Sequence, residues 1–265
     1  MTIQNRIEAA EAYVKALSTG DSAAAQAAAR HLAKDIVVQV GPRTFDGYEE
    51  ALKRITGVWP LTPVYRKGTW PAPQVQGDRV TVNANMAPVG AGPTAVNLSF
   101  SFNDADQITL VEQENLVTQP MNETDKLPDF VKTRINNALA NDTPLSVSYV
   151  DESGRPHLSL RGSTQVFSDS QLAIWVRGQT GLAAAVQKNP NISLLYRDNP
   201  TRSTLIFMGR AHIDPREEVR RKVFQTAPEV EQNHETWTTG VAVIIDLDQV
   251  DGATPEGRVK MRRAG

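Results

Sequence analysis

Residues Arg155–Asp198 run RPHLSLRGSTQVFSDSQLAIWVRGQTGLAAAVQKNPNISLLYRD, and the apolar period changes twice along them. His157, Ser159 and Arg161 alternate with Leu158 and Leu160, the two-residue period of a half-buried strand. Ser168-Asp169-Ser170 carries turn chemistry, and Leu172–Arg177 reads as a second strand returning toward the start of the first. The pattern then breaks at Gly178-Gln179-Thr180-Gly181. Thr180 is placed to cap a helix over Leu182–Lys188, which Asn189-Pro190 ends. A glycine-flanked helix start offers free backbone N–H groups to an anion such as a phosphate, and Arg161 and Arg177 at nearby strand ends add guanidinium donors. An ordinary capped helix beside solvated arginines fits the same residues with no ligand.

A chain of 265 residues suffices for one large domain or two ordinary ones. A formal charge of −2 gives no field for a polyanion, so nucleic acid is not an expected partner. With no cysteine there are no disulfides, no thiolate metal sites and no Cys nucleophile. His31, His157, His212 and His234 are scattered, which gives no clustered metal site. TIQNRIEAAEAYV is an amphipathic helix pattern rather than a basic-then-apolar leader. No apolar run reaches the roughly 20 residues of a membrane span. The expectation is a cytoplasmic protein without membrane contact.

In chain order, Gln4–Leu17 carries apolar residues at helical spacing, and Asp21 or Ser22 caps a second, Ala-rich helix through Ala33. Asp35–Val40 reads as a strand and Tyr48–Thr56 as a third helix. Arg79–Ala87, Thr94–Asn103 and Gln107–Val117 read as strands, the last two joined in a hairpin at Asn103-Asp104-Ala105-Asp106. Glu112 and Glu114 share a face of the last strand, either entering the interior or lying solvated. Residues 119–126 are polar and read as a linker between domains at 1–118 and 127–265. Beyond it the pattern gives a helix over Leu127–Leu139, strands at Leu145–Val150 and Thr204–Ile213, and a helix start at Asp214-Pro215-Arg216-Glu217 with Asp214 as N-cap. Gly240–Leu247 is almost continuously apolar and reads as a central strand, followed by a mixed, frayed tail. Helices first and antiparallel strands afterwards indicate an α+β class.

From about Pro128 to Val250 the chain resembles the pyridoxamine phosphate oxidase-like family, the flavin-binding split barrels. RPHLSLRGST, LAIWVRGQTGLAAAVQKNP and NPNISLLYRD carry the likeness. The resemblance implies a six-stranded antiparallel split β-barrel with flanking helices, pairing as a homodimer with FMN in a cleft between subunits. It places Arg161 on the family's phosphate-contacting strand arginine and Trp175 and Val176 where residues line the flavin ring. Thr180 falls on the serine that opens the phosphate helix. Gly181 and Leu182 follow it, where the true oxidase has an Arg-Lys pair. Ser163 and Thr164 continue the strand beside the ring, and Arg177 adds to the phosphate grip. Ser203 and Thr204 fall near positions that reach the flavin from the facing strand or subunit. Gln165 or Val166 stands where a strand lysine is expected, and the oxidase's C-terminal Trp and Arg have no counterpart. The substrate expected is therefore a small molecule other than pyridoxamine phosphate, and a deazaflavin is the alternative to FMN.

Residues 3–118, through AYVKALSTGD and FDGYEEALKRI, resemble the nuclear transport factor 2-like cone, an α+β barrel shared with ketosteroid isomerase and polyketide cyclases. The resemblance matches Tyr13 to an oxyanion-donating tyrosine and puts Val40 at the general-base position. A valine cannot take a proton, and a core tyrosine explains Tyr13 equally.

A flavin brings its own redox chemistry, so no nucleophile–base pair is required of the protein. GxSxG and HExxH are absent. Three readings follow: a flavin- or deazaflavin-dependent oxidoreductase, a non-enzymatic small-ligand binder, and lyase or isomerase chemistry in the N-terminal cone.

Overall fold

The structure, a computed structural model, describes residues 3–56, 61–178, 181–234 and 236–263. The chain is α+β and divides into two compact units, Met1–Gln119 and Pro120–Gly265.

In the first unit α1 (Ile3–Thr19) buries Ala9, Ala10, Tyr13, Val14, Ala16 and Leu17, the stripe that helical spacing puts on one side. Gly20, at φ +61°, donates its N–H to the Ala16 carbonyl and ends the helix. Asp21 caps α2 (Ser22–Ala29) by accepting from the Ala24 N–H at 3.0 Å. This helix stops short of Ala33, because Leu32 and Ala33 are already in β1 (Leu32–Val40), buried in its sheet. Then follow β2 (Arg43–Asp46), α3 (Tyr48–Ile55), the short α4 (Thr62–Tyr65), β3 (Gly68–Thr69), β4 (Gln74–Gln76), β5 (Arg79–Met86), β6 (Ala95–Phe102) and β7 (Ile108–Leu116). The strands order as β2-β1-β7-β6-β5-β3, with β4 also on β5; β1 and β7 run parallel and the other pairs antiparallel. Val80, Val82 and Ala84 on β5 and Val96, Leu98 and Phe100 on β6 are buried in the core that also holds the helices' apolar stripe. The hairpin expected at Asn103 is closed by its own side chain, whose Oδ1 accepts from the N–H groups of Ala105 and Gln107 at 3.0 Å each.

The second unit starts with β8 (Met121–Thr124), within the stretch read as a linker: these residues pair in parallel with the C-terminal strand. α5 (Asp129–Asn136) is shorter than the apolar pattern over 127–139, with Pro128 as its extended N-cap. Next are β9 (Leu145–Val150), β10 (Pro156–Arg161), β11 (Gln165–Ser168), β12 (Gln171–Arg177), α6 (Leu182–Lys188), β13 (Asn191–Asp198), β14 (Ser203–Ile213), α7 (Glu217–Thr226), α8 (Glu229–Gln232), β15 (Gly240–Thr254) and β16 (Gly257–Arg262). Among the described residues the sheet has nine strands where six were expected. Its path is β10-β9-β13-β14-β15-β12-β11, extended at β15 by β16 and then β8. The tail is not frayed, since Val259 and Met261 of β16 are buried in the core. Asp214 is not the cap of α7. Its carboxylate is taken by the Arg216 N–H and guanidinium, and Arg216 stands at the N-cap.

β10 is turned opposite to its hydropathy. Residues directly across an antiparallel pair share a face, and Arg161, Ser159 and His157 lie opposite the buried Leu145, Val147 and Tyr149. Leu158 and Leu160 therefore project outward, 75% and 67% exposed. Among the described residues no helix is long and apolar enough to cross a membrane.

Candidate ligand-binding site

The end of β10 brings Arg161 to the end of β12. Thr164 folds back on the turn, its Oγ1 donating to the Arg161 carbonyl at 3.0 Å, and Ser163 Oγ donates to the Trp175 carbonyl at 2.8 Å. These two hydroxyls brace the turn, so the Ser163 proton is already committed. Between the strand ends lies a depression of about 350 Å³ that gathers Arg161, Ser163, Trp175, Val176, Arg177 and Gly181, together with Gly162 and Glu231. Six of the ten residues picked out from sequence thus meet in one hollow.

The charges in it are unevenly satisfied. The Arg161 Nε is buried with no hydrogen-bond partner, a condition that costs about 1–3 kcal/mol for a buried donor. Arg177 is half exposed, and its Nη2 lies 3.9 Å from a Glu231 carboxylate oxygen, a loose pair. Glu231 reaches the hollow from α8, over Gly162: a Cβ built there would stand 2.6 Å from Glu231 Oε1. The sequence singles out neither Glu231 nor α8 as part of a site. Its stretch reads only as polar, and no local pattern ties it to β10.

The remaining predicted residues are placed differently. Trp175 lines the hollow but is 3% exposed, packed edge-on to Phe224 with centroids 5.0 Å apart; its indole N–H is buried without a partner. Its ring is therefore not an open stacking face. Leu182 and Val176 bury their side chains in the core, leaving only backbone for a ligand. Gly181, at φ +56°, is the N-cap of α6 and supplies no side-chain cap; Thr180, expected in that role, lies outside the described residues. Thr164 is buried and lines a separate depression with Gln165 and Thr226. Thr204 pairs with Ala253, whereas Arg177 pairs with Gly240, so the two are about 40 Å apart along β15 at the usual strand rise. Within one chain Thr204 takes no part in the hollow, and its hydroxyl accepts from Arg197. Ser203, beside it, is fully buried.

On the other side of Gly181 a second depression of about 400 Å³ is lined by Tyr149, Asp151 and His157. His157 Nε2 sits 2.8 Å from Asp151 Oδ2, and its ring stacks on Tyr149 at 5.3 Å and 10°. Hydrogen bonds from Ser153 first, then His157 and the Arg155 N–H, hold the Asp151 carboxyl far below the usual carboxylate range.

In the first unit the predicted catalytic positions form no comparable site. Tyr13 is fully buried against Phe100, and burial pushes its hydroxyl up to about 12. Arg54, 1% exposed, lies 4.6 Å over the Phe45 ring and donates to Gln113, which donates in turn to Tyr65 Oη at 2.6 Å. Val40 packs against the core. Glu112 and Glu114 do not enter the interior. They lie with Gln39, Thr81, Asn83 and Asn97 along a depression of about 400 Å³. Glu112 is bound to Arg79 and Glu114 to Asn97. Among the described residues no three His, Asp or Glu side chains are grouped to hold a metal.

No protein-family model matches the chain, and no curated protein is detectably similar to it. Among solved structures, HupZ of Group A Streptococcus is 19% identical, with 52% of this chain and 99% of that chain covered at a TM-score of 0.39. A Clostridium acetobutylicum protein related to general stress protein 26, of the pyridoxinephosphate oxidase family, is 11% identical over 51% of this chain and 96% of its own, with a TM-score of 0.40. General stress protein 26 of Bacillus anthracis is 16% identical over 46% and 93%, with a TM-score of 0.38.

Proposed function

We propose that the second unit holds a flavin, FMN or a deazaflavin, by its phosphate and works as a two-electron oxidoreductase on a small molecule other than pyridoxamine phosphate. One observation carries the reading: Arg161, whose buried Nε has no hydrogen-bond partner, lines the same hollow as Arg177, so that an anion there would meet two guanidinium groups. The hollow, about 350 Å³, is at the small end of ligand pockets and suits the acidic end of such a molecule. Arg161 and Arg177 grip that end by charge-assisted hydrogen bonds, Gly181 lets backbone approach it, and Ser163 and Thr164 keep the strand ends in register. When bound, the flavin supplies hydride or electron transfer, and the protein supplies grip and exclusion of water.

A second copy of the chain completes the cleft. Leu160, Ser146, Leu195 and Ile206 succeed one another across β10, β9, β13 and β14, with Leu158 and Met208 in the next row, all on the outward face. Five exposed apolar side chains among small serines make a flat, self-matching surface suited to a two-fold pair. The test is an absorbance spectrum of purified protein with mass analysis of any released chromophore, followed by titration with FMN. Flavin bands or saturable FMN binding support the reading, and a colourless protein that FMN cannot fill removes it.

A further inference from the structure

Glu231 is a carboxylate in a hollow built of guanidinium groups. Its Oε2 is 3.9 Å from Arg177 Nη2, and its Oε1 occupies the space that the missing Cβ of Gly162 leaves free. The side chain is a quarter exposed, so it is neither locked in the core nor fully in water. It has the chemistry of the ligand that the arginines would bind, and it stands where that ligand's acidic group would come.

We infer that Glu231 is an internal competitor for the anion seat, lowering the affinity of the hollow for phosphate groups until its carboxylate swings away. This rests on the anion-binding reading of the hollow. Two negative groups a few ångströms apart repel strongly at a half-buried site, and an arriving phosphate needs the Arg177 donors that Glu231 now faces. The competition acts on charge. It penalises a doubly charged phosphate monoester most and leaves a neutral ligand of the same shape untouched.

Gly162 gives an independent way to move the carboxylate without removing it. The backbone of Gly162 has no positive φ, so alanine is compatible there. Its methyl would press on the flexible end of Glu231 at 2.6 Å and on the Leu139 methyls at 3.1 Å. Gly162→Ala thus evicts the carboxylate while keeping the net charge.

The experiment is calorimetric titration of the full chain, wild type, Glu231→Gln and Gly162→Ala, with FMN, riboflavin and inorganic phosphate. Glu231→Gln should tighten FMN and phosphate by about tenfold, the size of one partly screened charge contact. Riboflavin, which lacks the phosphate, should bind all three proteins alike. Gly162→Ala should move in the same direction as Glu231→Gln. Phosphate that tightens while FMN binds none of the proteins supports the competitor and removes the flavin reading. FMN that binds wild type, with Glu231→Gln equal or weaker, overturns the competitor and leaves the flavin reading intact. Phosphate and FMN both indifferent to the two substitutions overturn it as well.

Discussion

The two units turn opposite kinds of sheet face outward. The first places Arg54, Tyr13, Tyr65 and Gln113 in its interior and faces its sheet outward with Thr81, Asn83, Asn97 and Ser99, whose neighbours Glu112 and Glu114 are already matched to Arg79 and Asn97. The second also buries polar side chains, among them Ser163, Thr164, Gln165, Ser203 and Asp214, beside its apolar core, so the difference lies on the outer faces. It leaves leucines on its outer face and, lining its hollow, an arginine whose buried Nε has no acceptor. The contrast teaches where to look for partners. A polar sheet face carries no cost in water, whereas exposed leucines carry one that a second copy would remove, and the buried Arg161 Nε carries one that an acceptor would remove.

The sharpest way to break this contrast is to charge both outer faces. Leu158→Asp with Leu160→Asp should convert a dimer to monomers, raising the dissociation constant at least about 100-fold, because each leucine is worth roughly 1.5–3 kcal/mol of burial. Asn83→Asp with Asn97→Asp on the first unit's face should leave the sedimentation coefficient unchanged. A wild type that sediments as a monomer at all concentrations would break the contrast at once.

The interior of the first unit gives the next effect. Tyr13 has its folded pKa raised from 10.0 to about 12, so the folded state favours the protonated phenol. That contribution is fully present below pH 10 and is lost between about pH 10 and 12, up to about 2–3 kcal/mol. Denaturant melts should show a fall over that window which Tyr13→Phe flattens. An unchanged slope in the phenylalanine variant would assign the alkaline loss to other groups.

The smallest effect belongs to the outer face. Arg79 and Glu112 are each about two-fifths exposed, so Glu112→Gln should cost less than about 1 kcal/mol in a urea melt. A larger loss would mean that this face is less self-sufficient than its contacts suggest.

Much of this was legible from periodicity. The helix at Leu182–Lys188 and the strand at Leu145–Val150 have the bounds their apolar patterns predict, because both patterns are set locally. The side of β10 was not legible. Alternation separates two faces but does not say which one meets the core, and here His157, Ser159 and Arg161 meet it. β8 and β16 pair in parallel across most of the unit, a contact that neither short segment announces. The apolar run predicts a strand over Gly240–Leu247, but β15 continues past the unpaired Asp248 to Thr254, with residues 249–253 paired to both β14 and β16. In the hollow, Arg161, Ser163 and Arg177 could be found because they flank recognisable strand ends. Glu231 could not, since only tertiary packing brings α8 over Gly162.

The central claim is that an anionic flavin end docks on Arg161. The most direct measurement is the FMN affinity of Arg161→Ala beside wild type, read by quenching of flavin fluorescence. A charge-assisted contact worth roughly 1.5–3 kcal/mol predicts weakening by one to two decades, with riboflavin affinity unchanged. Equal FMN affinity in the two proteins would contradict the account.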